Sequence, residues 1–115
     1  MAITSEIIGK LGGGVEEATV AGRDITSSNT VVHTVEVPAG KQVLVGFIGR
    51  FSKTPNNPSY WPVLRLGTSE STTGSTSRDV AISAILTESG NLTISAGSGA
   101  LSATLSGGTV YTAEM

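Results

Sequence analysis

Few side chains in this sequence could do acid–base or metal chemistry. His33 is the only histidine and lies in "VVHTVEVPAGKQVLVGFIGRF", and the chain has no cysteine. A histidine base needs a nucleophile within reach and an acid to orient it. No serine lies in a GxSxG motif. The positions of Asp24 and Asp79 in the sequence do not indicate that either would orient His33. A zinc site would need further His or Cys ligands. We therefore expect His33 to be a half-buried strand residue that is satisfied by a hydrogen bond, and the chain not to be an enzyme.

The carboxylates and the glycine-rich segments indicate no site either. Glu16 and Glu17 are adjacent, and neighbours on a strand point to opposite faces, so they do not suit a glycosidase pair. No DxDxDG calcium loop is present. "GSGALSA" and "LSGGTV" lack the lysine of a phosphate-binding loop and are better explained as hairpin connections. The sequence thus predicts no catalytic residue, no cofactor and no metal.

Tyr60 and Trp61 form the only aromatic pair, and they follow a proline- and asparagine-rich segment at 52–58. Exposed, they could stack on a sugar ring or anchor a protein partner. Buried, they would close one end of the domain, which is the more usual position for a lone tryptophan. They are therefore a possible binding platform, with a core role as the alternative.

The composition excludes several classes of partner. Seven basic and nine acidic residues give a net charge of −2, and they are dispersed along the chain, so we expect no nucleic acid partner. Charged residues make up only 14%, and Ser, Thr and Gly number 15 each. No run approaches the ~20 apolar residues that span a bilayer. The first residues lack the pattern of a signal peptide, which predicts synthesis in the cytoplasm and no membrane association.

From Val15 onward the pattern is that of β-strands separated by Gly, Pro and polar turns. Alternation in the second strand predicts that Val31, His33, Val35 and Val37 share one face. Residues 68–78 contain no apolar side chain and are predicted to be a loop. Strands are predicted at 15–21, 30–37, 41–51, 59–67, 79–89, 92–96, 100–105 and 109–114. Seven or eight strands in one domain, 15–115, predict an antiparallel β-sandwich or jelly roll, with a closed barrel as the alternative.

Residues 1–14 differ from the rest. Three glycines, Gly12–Gly14, separate this segment from the first strand and act as a hinge. We interpret 1–14 as an N-terminal arm that binds a partner, with a frayed terminus as the alternative. The partner-binding residues of the arm would be its four aliphatic side chains: Ile3, Ile7, Ile8 and Leu11.

Two segments resemble a known group of proteins. "VEVPAGKQVLVGF" at 35–47 and "GNLTISAGSGALSATLSGGTVYTAE" at 90–114 resemble the paired strands and C-terminal hairpins of small all-β virion proteins of tailed bacteriophages. The closest resemblance is to capsid decoration (head-stabilising) proteins. It implies a non-enzymatic structural protein of the virion, with no cofactor, that binds the major capsid protein outside the head and cements capsomers. It also implies a homo-oligomer, with a trimer favoured, and an arm that helps to grip the capsid.

The alternative function is a carbohydrate- or receptor-binding β-sandwich module. Its binding platform would be Tyr60 and Trp61. A glycan array would separate this alternative from the decoration protein, because only the former should bind sugars.

Overall fold

Eight β-strands account for the regular structure that the computed structural model describes, which covers residues 15–54, 62–72, 78–97 and 102–115. Within those ranges there is no helix. The strands are β1 (Val15–Thr26), β2 (Thr30–Val35), β3 (Val43–Lys53), β4 (Val63–Leu66), β5 (Ser69–Thr72), β6 (Asp79–Leu86), β7 (Gly90–Ser95) and β8 (Ser102–Glu114).

The strands form two four-stranded antiparallel sheets. The first sheet has the order β1-β8-β3-β6 and the second sheet the order β2-β7-β4-β5. In this arrangement β1 pairs with β8, β2 with β7, β3 with β6 and β4 with β5, which is the nested pairing of a jelly roll. The prediction of an antiparallel β-sandwich or jelly roll is confirmed, and the closed barrel is not formed.

The core lies between the two sheets and is made largely by alternate residues of the strands, while β5 contributes no buried side chain. In β3 the side chains of Val43, Val45, Phe47 and Phe51 are buried, while Leu44 and Ile48 between them are exposed. The second sheet contributes a matching set of buried side chains: Val35, Leu64, Leu66, Leu92 and Ile94. Each fully buried aliphatic or aromatic side chain contributes roughly 1.5–3 kcal/mol, so a core of this size holds the sheets together without metal or disulfide.

Two glycines make room for the largest side chain of the core. Gly49 and Gly108 lie opposite each other on β3 and β8. A Cβ atom would lie 2.5 Å from Phe47 Cζ if built on Gly49, and 2.6 Å from Phe47 Cε1 if built on Gly108. Since β8 runs unbroken from Ser102 to Glu114, the predicted connection near 106–108 is wrong. Gly49 and Gly108 allow the ring of Phe47 to pack against the backbone of the sheet, and they do not form a turn.

The predicted loop at 68–78 is wrong for residues 69–72, because these residues form the strand β5. This strand pairs with β4 in regular register across a tight turn in which Gly67 has a φ of +60°. Arg65 Nε donates to Glu70 Oε2 at 2.9 Å across the pair. Every side chain of β5 is polar, so the strand has no apolar alternation from which it could be predicted.

Candidate functional site

His33 lies on β2 next to an irregularity in the strand. The register with β7 shifts between Val31, which faces Thr93, and His33, which faces Leu92. The shift reverses the alternation, so Val31 is 47% exposed while Val35 is only 3% exposed. The prediction that Val31 shares the buried face is therefore wrong. The prediction that His33 is a half-buried strand residue is confirmed. The hydrogen bond predicted for its side chain is not found among the described residues and stays a prediction.

An opening between the sheets contains the side chains most suited to acid–base chemistry. It has a volume of about 500 Å³, and His33 and Glu36 line it together with Glu16 and Glu114 from the first sheet. No hydrogen bond or ion pair among the described residues joins His33 to these carboxylates, and Glu114 pairs with Lys41 at 3.9 Å. Within the described ranges no group of three His, Asp or Glu side chains could hold a metal ion. This opening therefore lacks an assembled acid–base pair.

A second candidate surface is the side of the first sheet that faces away from the core, which we call the outer face. Its middle strand, β3, presents Leu44 and Ile48, which are 46% and 61% exposed. Leu44 lies opposite Ile85 on one side and Ala113 on the other, and Ile48 lies between Ala81 and Thr109. The register gives twelve positions on this face: Val15, Glu17, Thr19, Leu44, Gly46, Ile48, Ala81, Ser83, Ile85, Thr109, Tyr111 and Ala113.

The outer face is apolar and almost uncharged. Among the described residues six large hydrophobic side chains are exposed, and four of them lie here: Leu44, Ile48, Ile85 and Tyr111. Glu17 is the one charged side chain among the twelve positions, and the Arg50–Asp79 ion pair, at 3.5 Å, closes one end of the face. Contiguous exposed apolar surface of this kind marks an interaction site more often than a free surface.

The middle of the outer face is a shallow depression. Gly46 forms its floor, because the position has no side chain and a Cβ atom there would meet no atom within 4 Å. Leu44, Tyr111 and Ser83 surround it, and its volume is about 380 Å³. The face can therefore receive a protruding side chain from a partner.

The opposite side of the molecule is different in character. On the second sheet Arg65 points outward, pairs with Glu70 and also donates to Asn29 Oδ1 at 2.9 Å. Arg50 and Arg65 consequently lie on opposite sides of the sandwich, and each has an acidic partner. They do not form a common basic groove.

The residues that the sequence singled out as binding residues lie outside the described ranges. These are Ile3, Ile7, Ile8 and Leu11 of the arm, and the aromatic pair Tyr60 and Trp61. Their roles stay predictions. Sequence reasoning missed the outer face as a site, although β3 gave a signal: its Leu44 and Ile48 are apolar on the side opposite to Val43, Val45 and Phe47.

Comparisons of the chain with protein-family models, with curated proteins and with solved structures gave no match. In the part of the chain that the structure describes, no helix is long and apolar enough to cross a membrane.

Proposed function

We propose that this chain is a non-enzymatic structural protein that binds other protein subunits through the outer face of its first sheet. The specific role we propose is that of a capsid decoration protein, which binds the major capsid protein outside a tailed-phage head and cements capsomers. The observation that carries the binding role is the cluster of exposed Leu44, Ile48, Ile85 and Tyr111 on one nearly uncharged face.

The virion role is supported by two observations that are separate from the outer face. It is supported by the resemblance of residues 35–47 and 90–114 to small phage virion proteins. Jelly rolls are common in viral capsid proteins, and also in lectins. This second support is an analogy at the level of the fold, since one fold serves many functions.

The size of the outer face determines how strongly it can bind alone. Four strands spaced about 4.8 Å apart and five residues of about 3.4 Å each give an area of roughly 330 Å². Burial of that area contributes at most about 8 kcal/mol at ~25 cal/mol per Å². Association costs about 4–15 kcal/mol in lost freedom. The face alone therefore binds weakly, and stable occupancy requires additional contacts.

The chemistry of the face also predicts the kind of surface that it binds. Glu17 is the only unpaired charge among its positions, so a partner surface rich in charge would lose hydration without gaining ion pairs. We expect an uncharged, apolar patch on the partner. Because exposed charges contribute little, occupancy should change little with ionic strength.

The test uses heads from a phage in which the gene for this chain is deleted, incubated with full-length protein. The substitution Leu44→Lys places an ammonium group in the contact, and we expect at least a tenfold loss of affinity, equivalent to about 1.4 kcal/mol. The matched control is Val31→Lys, because Val31 is 47% exposed against 46% for Leu44 but lies on the second sheet. Occupancy is measured by densitometry of washed heads.

The possible outcomes separate the two parts of the proposal. Failure of the wild-type protein to bind the heads would overturn the virion role. Equal binding by wild type and by folded Leu44→Lys, or equal loss for Leu44→Lys and Val31→Lys, would overturn the role of the outer face. Circular dichroism spectra of both variants establish that they are folded.

A further inference from the structure

The free edge of β6 has little of the protection that is usual for an edge strand. β6 is the last strand of the first sheet and, among the described strands, pairs with β3 alone. Its one charged residue is Asp79 at its start, which pairs with Arg50. The remaining residues 80–86, "VAISAIL", contain no charge, proline or glycine, and the register with β3 is regular along the whole strand. Proteins usually protect edge strands with charges, prolines, bulges or short length.

The other three edge strands have such protection. β2 carries the register shift at Val31–His33, and β5 is only four residues long and entirely polar. β1 is long, but it carries four charged side chains: Glu16, Glu17, Arg23 and Asp24. The contrast indicates that the β6 edge is left open to receive another strand.

The hydrogen-bond pattern identifies the groups that this edge offers. Phe51 N–H donates to the Arg78 carbonyl at 2.6 Å. The backbone N–H and C=O groups of residue 78 therefore point toward β3. Since the pattern alternates along an antiparallel strand, the even-numbered residues of β6 bond to β3. The N–H and C=O groups of Ala81, Ser83 and Ile85 point away from the sheet. An open groove of about 580 Å³ extends over the middle of β6 from the outer face to β5, and its lining includes residues 46–48, Tyr111, residues 81–83 and residues 69–71.

We propose that β6 pairs antiparallel with β6 of a second copy of this chain, about a twofold axis at Ser83. Ser83 then lies opposite the partner's Ser83, and Ala81 opposite the partner's Ile85. The backbone groups of these residues have no strand partner within the described part of the chain, so the hydrogen bonds form without rearrangement of β6. On the side that faces the core, Ile82 lies opposite the partner's Ala84. Together with the Ala81–Ile85 pair on the outer side, this places a large side chain opposite a small one on each face of the new sheet.

Charge selects this register over its neighbours. In the proposed pairing Arg78, which directly precedes β6, comes to the same end of the paired strands as the partner's Glu88, which lies in the bend after β6, and both side chains are exposed. A shift by two residues in one direction would place Asp79 opposite the partner's Ile85. The opposite shift would place Val80 opposite the partner's Glu88. Only the twofold at Ser83 pairs opposite charges and keeps charge away from apolar side chains.

Pairing through β6 would join two outer faces into one surface. Residues opposite each other in an antiparallel pair point to the same side, so the two outer faces lie side by side on an eight-stranded sheet. Their combined area of roughly 650 Å² is much closer than one face alone to the ~800 Å² per partner of a standard stable interface. The pairing does not depend on the virion role. It gives a dimer, whereas the resemblance to decoration proteins implies a trimer.

Disulfide cross-linking of the full-length protein tests the register. The chain has no cysteine, so each variant contains only the thiols introduced into it. In a hydrogen-bonded antiparallel pair the Cα atoms are about 5.5 Å apart, within disulfide range. Ser83→Cys should therefore form a dimer rapidly under mild oxidation. Ala81→Cys is the matched control: it lies on the same face of the same strand, but in the proposed register the two sulfurs are more than about 10 Å apart. A mixture of Ala81→Cys and Ile85→Cys proteins should cross-link to each other.

Sedimentation equilibrium of the untagged protein provides the second readout. We expect a wild-type species of about 23 kDa, twice the 11.6 kDa of the chain. Ser83→Lys places like charges opposite each other at the axis and should raise the dimer dissociation constant at least about tenfold. The proposal is overturned if the wild type remains monomeric up to its solubility limit. It is also overturned by a trimer that Ser83→Lys leaves intact, or by equal cross-linking of Ser83→Cys and Ala81→Cys.

Discussion

The ring of Phe47 depends on two positions that have no side chain. Gly49 and Gly108 face the core from adjacent strands, and any Cβ atom there would overlap the ring. At Gly108 a Cβ atom would also lie 2.7 Å from the Ile48 carbonyl oxygen, which belongs to the backbone and cannot rotate away. Relief therefore requires the strands to separate or the ring to leave its position.

This geometry predicts that Gly108→Ala destabilises the protein. We expect its free energy of unfolding to fall by about 1–3 kcal/mol, as for other overpacked cores. Gly46→Ala is the control, because a Cβ atom at this position of β3 meets no atom within 4 Å. It should leave the stability unchanged or raise it by up to about 1 kcal/mol, since alanine has less freedom to lose on folding. Urea denaturation measures both. Equal changes in the free energy of unfolding for the two substitutions would show that the contact with Phe47 is not the reason for the glycine at position 108.

Among the elements, strands that alternate apolar and polar residues could be predicted from sequence and the others could not. β3 and β6 turn every second residue toward the core, and both lie close to their predicted positions. β5 could not be predicted because it is polar on both faces. β8 could not be predicted as one strand because Gly107 and Gly108 are typical of a turn in sequence, and only the contact with Phe47 explains a glycine within the strand. The strand order could not be predicted either, since it depends on contacts between residues far apart in the chain.

The same limit applies to the candidate site. His33 was predicted to be a half-buried strand residue from its setting among valines, and that is where it lies. The outer face depends on the register of four strands that are distant in sequence. Sequence alone shows only that Leu44 and Ile48 lie opposite the buried side of β3.

The arm, residues 1–14, gives a prediction at the scale of an element. It lies outside the described residues, and its role is inferred from its four aliphatic side chains and from the glycines that separate it from β1. Ordering it costs about 1–2 kcal/mol per residue, so it should add to the contacts of the sandwich without binding strongly by itself.

A truncated chain that begins at Val15 tests this prediction. It should melt within a few degrees of the full-length protein, because the buried core lies between Val20 and Val110. Its occupancy on heads should fall sharply, because the outer face alone binds weakly. Failure of the truncated chain to fold would place residues 1–14 in the core of the domain and contradict their interpretation as an arm.

At the scale of the whole molecule the two outer surfaces of the sandwich have different characters. The first sheet presents an apolar, nearly uncharged face, while the second presents ion-paired Arg65 and Glu70 beside Asn29. The jelly roll holds the first face rigid, because its strands are fixed by the core behind them. Such an asymmetric and rigid body is suited to attach to another protein by one side and leave the other in solvent.

Electron cryomicroscopy of heads with and without this protein tests the central claim most directly. We predict additional density on the outside of the shell that fits the sandwich, with Leu44, Ile48 and Tyr111 turned toward the capsid protein and Arg65 toward solvent. Identical maps from the two preparations would contradict the proposed role as a decoration protein. Density in which the second sheet meets the shell would contradict the assignment of the outer face as the binding surface.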